Sequence, residues 1–163
     1  MSNVIDIIRE FEKKLPKFPD GRIDYHSSKT APVLNAFVKC KDKILLLKRS
    51  QKVRTYKGKW NSLGGYLDEP VPLKEKILEE LDEELGVKEN IIKTIKEGES
   101  FTFEDKEIGM IWIIFPVVVE LKEMPEIKLD WEHTEYRWIY PKEIKNYDTV
   151  SKLEIVYNKV SSL

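Results

Sequence analysis

The chain is short of cysteine, of histidine, of long apolar runs and of any dominant charge, and each shortage excludes a class of protein. Cys40 is the only cysteine, so no disulfide can form within the chain and a small disulfide-stapled scaffold is excluded; a reducing cytoplasm is the expected compartment. Cys40 lies in an apolar segment and reads as a small core residue rather than a nucleophile. His26 and His133 are the only histidines, which gives poor support to a His-based zinc site. No apolar stretch reaches the ~18 residues of a membrane span. The longest, Met110 to Val119, is interrupted by Pro116 and predicts a buried strand. The first residues, Met1-Ser2-Asn3-Val4-Ile5-Asp6, lack the basic start of a signal peptide. Net charge is −1, so no global field draws the chain to a membrane or into a stable nucleic-acid complex. No heptad or exposed apolar stripe fixes an oligomeric state, and a homodimer is compatible with the chain.

What is present organises into one domain, since 163 residues without an internal repeat or low-complexity linker suffice for a single core. Val4, Ile5, Ile7, Ile8, Phe11 and Leu15 recur at helical spacing and predict a helix over 3–15, part of an N-terminal extension of residues 1–20 closed by Pro16 and Pro19-Asp20-Gly21. Residues 33–40 and 44–49 predict a hairpin across Lys41-Asp42-Lys43. A short strand near Ser62 to Gly65 follows, then a helix over about 72–85. Further strands are expected at about 91–99, 107–121 and 135–140, and a last helix over 149–161. Strands on both sides of a central helix, with helices at the ends, predict an α/β/α sandwich on a mixed sheet.

The central helix carries the chemistry. Glu79-Glu80-Leu81-Asp82-Glu83-Glu84 puts five carboxylates in six positions, between the Gly64-Gly65 turn and a glycine stop at Gly86. A helix gains nothing from this run: like charges at i,i+4 destabilise it, and acid near its C-terminus opposes the macrodipole. At about 100° per residue, Ile77, Leu78, Leu81 and Leu85 form the core stripe, and Glu80, Glu83 and Glu84 fall on a neighbouring arc. Three hard oxygen donors on one patch suit Mg2+ or Mn2+. The loop before the helix is cationic. Of Lys48, Arg49, Lys52, Arg54, Lys57 and Lys59, one or two could clamp phosphate oxygens, Arg49 and Arg54 first. Tyr56 and Phe103 are candidates for stacking a base, whereas Trp60 reads as a packing anchor.

The segment from Gly65 to Val87 resembles the Nudix box: a glycine, five residues, a glutamate, seven residues, then Arg-Glu-apolar-x-Glu-Glu-x-Gly-apolar. Gly65, Glu80, Leu81, Glu83, Glu84, Gly86 and Val87 match at the family spacing. Gly58-Lys59-Trp60-Asn61-Ser62-Leu63-Gly64-Gly65 is similar to the family's lead-in, with Leu63 in place of its proline. Two positions depart: Val71 stands where the box has its first glutamate and Glu79 where it has its arginine. In the family those two groups orient the metal-binding carboxylates through ion pairs. The resemblance implies the same sandwich fold, with residues 64–87 as the box loop and helix. It further implies metal held by Glu80, Glu83, Glu84 and the Gly64 carbonyl, with Glu80 as the favoured base. Trp131 to Trp138 resembles a late segment of the family in which a glutamate enters the site; Glu132 is the preferred candidate and Glu135 the next. The implied activity is metal-dependent hydrolysis of a phosphoanhydride bond in a nucleoside diphosphate linked to another group: a nucleoside triphosphate, nucleotide sugar or dinucleotide. The rival is a Nudix domain impaired in catalysis that senses a nucleotide or docks a protein, favoured by Val71 and Glu79.

Overall fold

Asn3 caps the first helix, α1 (Val4–Lys14), its side chain accepting the Ile5 N–H at 3.0 Å. The computed structural model describes residues 3–163. α1 buries Ile8 and lays Val4, Ile7 and Phe11 against the core. The predicted hairpin is strands β1 (Thr30–Cys40) and β2 (Lys43–Arg49), turning at Lys41 with φ 55°. They pair only at the turn, through Lys39 with Ile44 and Cys40 with Lys43, and then part. β1 continues antiparallel to β4 (Leu63–Tyr66), while β2 takes β3 (Trp60–Asn61) and β8 (His133–Ile139) as neighbours. On its other edge β1 runs parallel to β7 (Met110–Leu121) from Thr30 with Ile111 to Lys39 with Glu120. β7 in turn pairs antiparallel with β5 (Ile92–Glu97) and β6 (Phe101–Asp105). The result is one mixed eight-stranded sheet.

β1 and β2 are buried along nearly their whole length, as strands covered on both faces are. The cover comes from helices α2 (Leu73–Leu85) and α3 (Leu153–Val160). α2 sinks Leu73, Ile77, Leu81 and Leu85, and α3 sinks Leu153, Val156 and Val160 and sets Tyr157 edge-on to Phe37 of β1 at 5.2 Å. Among the described residues no helix is long and apolar enough to cross a membrane.

Three departures from the sequence expectation have physical causes. β6 was not expected, because Phe101-Thr102-Phe103-Glu104-Asp105 is short and half exposed, so its periodicity is faint; β7 starts after its turn at Gly109 rather than at Glu107. Pro116 is tolerated inside β7 because it lies where the antiparallel partner changes from β6 (ending at Ile114) to β5 (starting at Val117). Its carbonyl still accepts the Gly98 N–H at 2.9 Å. The last helix begins at Leu153 rather than 149, since Val150 donates its N–H to Trp60 O at 2.9 Å and Thr149 bridges Trp60 in parallel, which holds that segment extended.

Gly98 sits where α3 crosses the sheet, and a β-carbon there would lie 2.6 Å from Val160 Cγ1 and 3.3 Å from Pro116 Cγ. Gly98→Ala should therefore destabilise the fold by about 1–3 kcal/mol through overpacking. In urea titrations, Gly98→Ala combined with Val160→Ala should lose less than the sum of the two single losses, by at least ~0.5 kcal/mol.

Candidate active site

The parting of β1 from β2 opens a cavity of about 380 Å³, lined by Asn35 of β1, Arg49 of β2, Asn61 of β3, Gly64 of β4 and Glu80 of α2. Beneath the glycine turn a buried polar knot fixes the backbone. Asn35 Nδ2 donates to Ser62 Oγ at 2.9 Å and Asn61 Oδ1 at 3.2 Å, and Asn61 Oδ1 also accepts the Ser62 N–H at 2.8 Å. A β-carbon on Gly64 would stand 2.8 Å from Leu34 O, so only glycine fits there; one on Gly65 would come within 4.0 Å of Glu80 Oε1, which shows how closely turn and helix face each other.

α2 ends at Gly86, which takes the left-handed conformation (φ 68°) while its N–H reaches Asp82 O and the Val87 N–H reaches Leu81 O. On this helix the acids are sorted by depth. Glu84 keeps 2% of its surface, and neither of its oxygens has a hydrogen-bond donor. Burial first, then the adjoining Glu80 and Glu132, drives its carboxyl far above the ordinary carboxylate range. Glu132 is also pushed up by burial, with Asp130 and Glu80 adding to the effect and Glu84 and Arg49 opposing it. Glu80, Glu84 and Glu132 thus converge. Glu83 stays exposed on the outer edge of the patch, beside Glu79 and Glu80. Glu135, the second candidate of its segment, faces Lys48 at 3.3 Å and Arg137 at 3.1 Å on the exposed sheet edge, and does not line the cavity.

Two cations that sequence reasoning missed hold this array. Lys76 retains 3% of its surface and reaches Asp68 Oδ1 at 3.0 Å and Glu80 Oε1 at 3.1 Å. Burial pulls its ammonium down, but Glu80 and Asp68 outweigh that and hold it up at about 12. Arg22, between α1 and β1, reaches Glu79 Oε1 at 2.8 Å and Glu69 Oε1 at 3.4 Å. The glutamate at the arginine position of the box is therefore neutralised from another part of the chain, and the carboxylate after it is oriented by a lysine one turn earlier. The i,i+4 spacing of Lys76 and Glu80 was a usable signal for the second pair. No local signal could have given the first, whose partners are 57 residues apart. The Arg22 segment is pinned to the box loop by Ile23 N–H on Asp68 O at 2.9 Å and Tyr25 Oη on Leu67 O at 2.6 Å.

On the opposite wall stands the cationic loop. Arg49 is half-buried at a bulge between Lys48 and Arg49, donating from Nε to Thr55 O at 2.9 Å with Glu132 and Glu84 nearby. Arg54, exposed at the rim, donates to His26 O at 2.5 Å. Lys57 is exposed and outside the lining. Tyr56 and Phe103 both line the cavity together with Tyr66 and Trp112. Tyr56 Oη donates to Asp105 Oδ2 at 2.5 Å and accepts Trp112 Nε1 at 3.1 Å, which fixes the ring plane. Trp60, partly buried, packs edge-on against Tyr147 at 5.3 Å and against the core, the anchoring role its position suggests.

The fit to a divalent cation rests on Glu84. A buried carboxylate without a donor is costly, and two further carboxylates beside it raise that cost. A hard dication held by Glu80, Glu84 and the Gly64 carbonyl would remove it, so these residues fit the metal that the sequence implied.

Comparison with known proteins agrees with this geometry. The family model described as NUDIX domain matches residues 29–159. The nucleoside triphosphatase NudI of Escherichia coli O139:H28 is 29% identical over 116 residues, covering 64% of this chain and 77% of the relative. The NUDIX domain of Shewanella oneidensis NrtR, solved in complex with ADP ribose, superposes with a TM-score of 0.68 at 14% identity, covering 94% of this chain and 96% of that one. An Ap4A hydrolase of C. elegans superposes with a TM-score of 0.66 at 17% identity over 81% and 96% of the two chains. With family match, fold and acidic helix in agreement, the chain belongs to the Nudix hydrolase family and is an enzyme of its pyrophosphohydrolase class.

Proposed function

We propose that this enzyme hydrolyses a phosphoanhydride bond in a nucleoside diphosphate linked to another group, with Mg2+ or Mn2+ as cofactor and in the cytoplasm. The observation that carries the reading is the buried, donor-less Glu84 beside Glu80 and Glu132, which with Arg49 line a cavity of about 380 Å³. The names of the relatives, a nucleoside triphosphatase and an Ap4A hydrolase, and the ADP ribose bound by a structural neighbour support that substrate class.

When bound, the dication supplies neutralisation of phosphate oxygens and acidification of the attacking water. The chain's own groups divide the remaining tasks. Glu80, Glu84 and the Gly64 carbonyl form the ligand set, with Glu83 at its outer edge. Glu80 is the favoured proton acceptor, its carboxylate held by Lys76, and Glu132 stands beside it as ligand or second base. Arg49 and Arg54 receive the diphosphate oxygens, Lys57 adds charge at the loop tip, and Tyr56 and Phe103 offer faces for the base. Water's oxygen bonds to phosphorus, the bridging P–O bond breaks, and the displaced phosphate oxygen leaves with the electron pair.

The reading is tested by a chromatographic screen for the nucleotide and phosphorylated products over nucleoside triphosphates, nucleotide sugars and dinucleotides with Mg2+ and Mn2+. Turnover of at least one class, abolished by EDTA, is expected; ligand-induced thermal shifts with no product from any class would overturn it in favour of a sensor.

Glu84→Gln should cut turnover on the order of a hundredfold or more, since even an outer-shell loss at a metal site costs 10–100-fold. In EDTA the same variant should unfold at higher urea than wild type by about 1–3 kcal/mol, because an amide can donate to Glu80 or Glu132 where the carboxylate repels them. A carboxyl whose folded pKa is raised loses stability as pH rises above its ordinary value near 4.5, so the advantage of Glu84→Gln should be absent at pH 4 and grow towards pH 8. Arg22→Glu should lower kcat on the order of fivefold, as ~1 kcal/mol for a partly exposed pair implies, and adding Glu79→Arg should restore it.

A further inference from the structure

Beyond the oxygen ligands, a nitrogen donor lies at the same helix. The turn before β8 folds back on itself, with Asp130 Oδ1 accepting the Glu132 N–H at 3.0 Å and Asp130 O receiving the His133 N–H at 3.4 Å. This turn presents the side chains of Asp130 and His133 to Glu84, and one ligand atom from each of the three lies within 4.8 Å of the other two. Nδ1 of His133 and Oδ1 of Asp130 are 3.8 Å apart. His133 is almost wholly buried, yet Nδ1 has no hydrogen-bond partner, and both oxygens of Glu84 lack one as well. Buried polar atoms in folded proteins are paired almost without exception, so three unpaired atoms on two adjoining buried side chains call for an occupant.

Charge decides what the occupant is. His133 brings an unpartnered imidazole nitrogen to two carboxylates, Glu84 and Asp130, so the donor set is one nitrogen with anionic oxygens. A cation is required, and it must accept nitrogen. Imidazole with two carboxylates suits Mn2+, Fe2+, Co2+ or Zn2+ rather than Mg2+, which prefers an all-oxygen shell.

We infer that Glu84, Asp130 and His133 form a second cation position, selective for a transition-metal dication and sharing Glu84 with the all-oxygen position at Glu80 and Gly64. A carboxylate whose two oxygens both lack donors is suited to bridging two such ions, as in two-metal sites with cations ~3.5–4 Å apart. The inference rests on the cation-dependent reading above and extends it: one position is satisfied by Mg2+, the other discriminates against it. The sequence carried only a faint hint, since two histidines in 163 residues argued against an imidazole ligand; the element that overrides this is the tight turn from Asp130 to His133.

The test uses the full chain stripped of metal, with Mn2+ as the spectroscopic probe and Mg2+ in about hundredfold excess. Wild type should retain one Mn2+ whose pulsed EPR spectrum shows coupling to a directly bound 14N. His133→Ala should abolish that coupling and weaken Mn2+ binding by at least tenfold, while Glu80→Gln should leave the coupling in place. Asp130→Asn, which keeps the size of the side chain, should weaken Mn2+ binding without removing the nitrogen signal, and it serves if His133→Ala fails to fold. Mn2+ bound with oxygen coupling alone would overturn the inference while leaving the hydrolase reading intact, and would mean that Glu84 and His133 merely share a proton. No Mn2+ binding at all, in the presence or absence of Mg2+, would overturn both.

Discussion

Lys76 is enclosed by the fold with carboxylates on two sides, Asp68 from the box loop and Glu80 from its own helix. That arrangement lets a helix with five acids in six positions lie against the sheet at all. An ammonium buried alone would be expelled or neutralised, and two carboxylates at that depth would repel each other; the ammonium set between them attracts both and leaves a single net negative charge. Removing one member of such a buried set typically costs ~3–5 kcal/mol, far more than any exposed pair. The loop, the helix and the position of Glu80 are thus coupled through one side chain. Arg22 repeats the arrangement at the surface, where Glu69 and Glu79 share a guanidinium from outside the matched family segment.

Glu84 shows the opposite bargain. Glu80 and Glu132 adjoin it, and no hydrogen-bond donor of the polypeptide reaches either of its oxygens. Sites that bind cations keep such destabilised groups because the missing interaction is reserved for the ligand. The glycine turn is built in the same spirit. Gly64 approaches Leu34 O so closely that its carbonyl orientation is fixed by the β1–β4 ladder and the Asn35–Ser62 contact, not by loop flexibility.

Much of this was legible in the sequence, and for identifiable reasons. The mixed sheet with flanking helices follows from strong apolar periodicities, and the box helix from its stripe of Ile77, Leu81 and Leu85 bounded by Gly86. Helical spacing groups Glu80, Glu83 and Glu84 on one arc, and the family resemblance adds Gly64; in the structure Glu80 and Gly64 both line the cavity. Depth was not legible: Glu83 and Glu84 are adjacent and chemically identical, yet one is exposed and the other buried. A helical wheel gives angle but not distance to the sheet, so it cannot sort them. Contacts made by distant segments, such as Arg22 with Glu79, leave no local pattern. β6 was missed because five half-exposed residues give too little alternation to detect, although Phe103, which it carries to the cavity, was picked out on chemical grounds.

The parallel pairing of β1 with β7 joins residues about eighty positions apart. Loop closure of that length is entropically slow, and parallel pairing adds no local hairpin to nucleate it. During synthesis the carboxylate helix and its two cations are made well before β7 and the Glu132 turn exist. The acids must therefore spend that interval hydrated and mutually repelling in a half-made sheet, which makes late closure of the β1–β7 seam the step at which folding and assembly of the catalytic centre become one event.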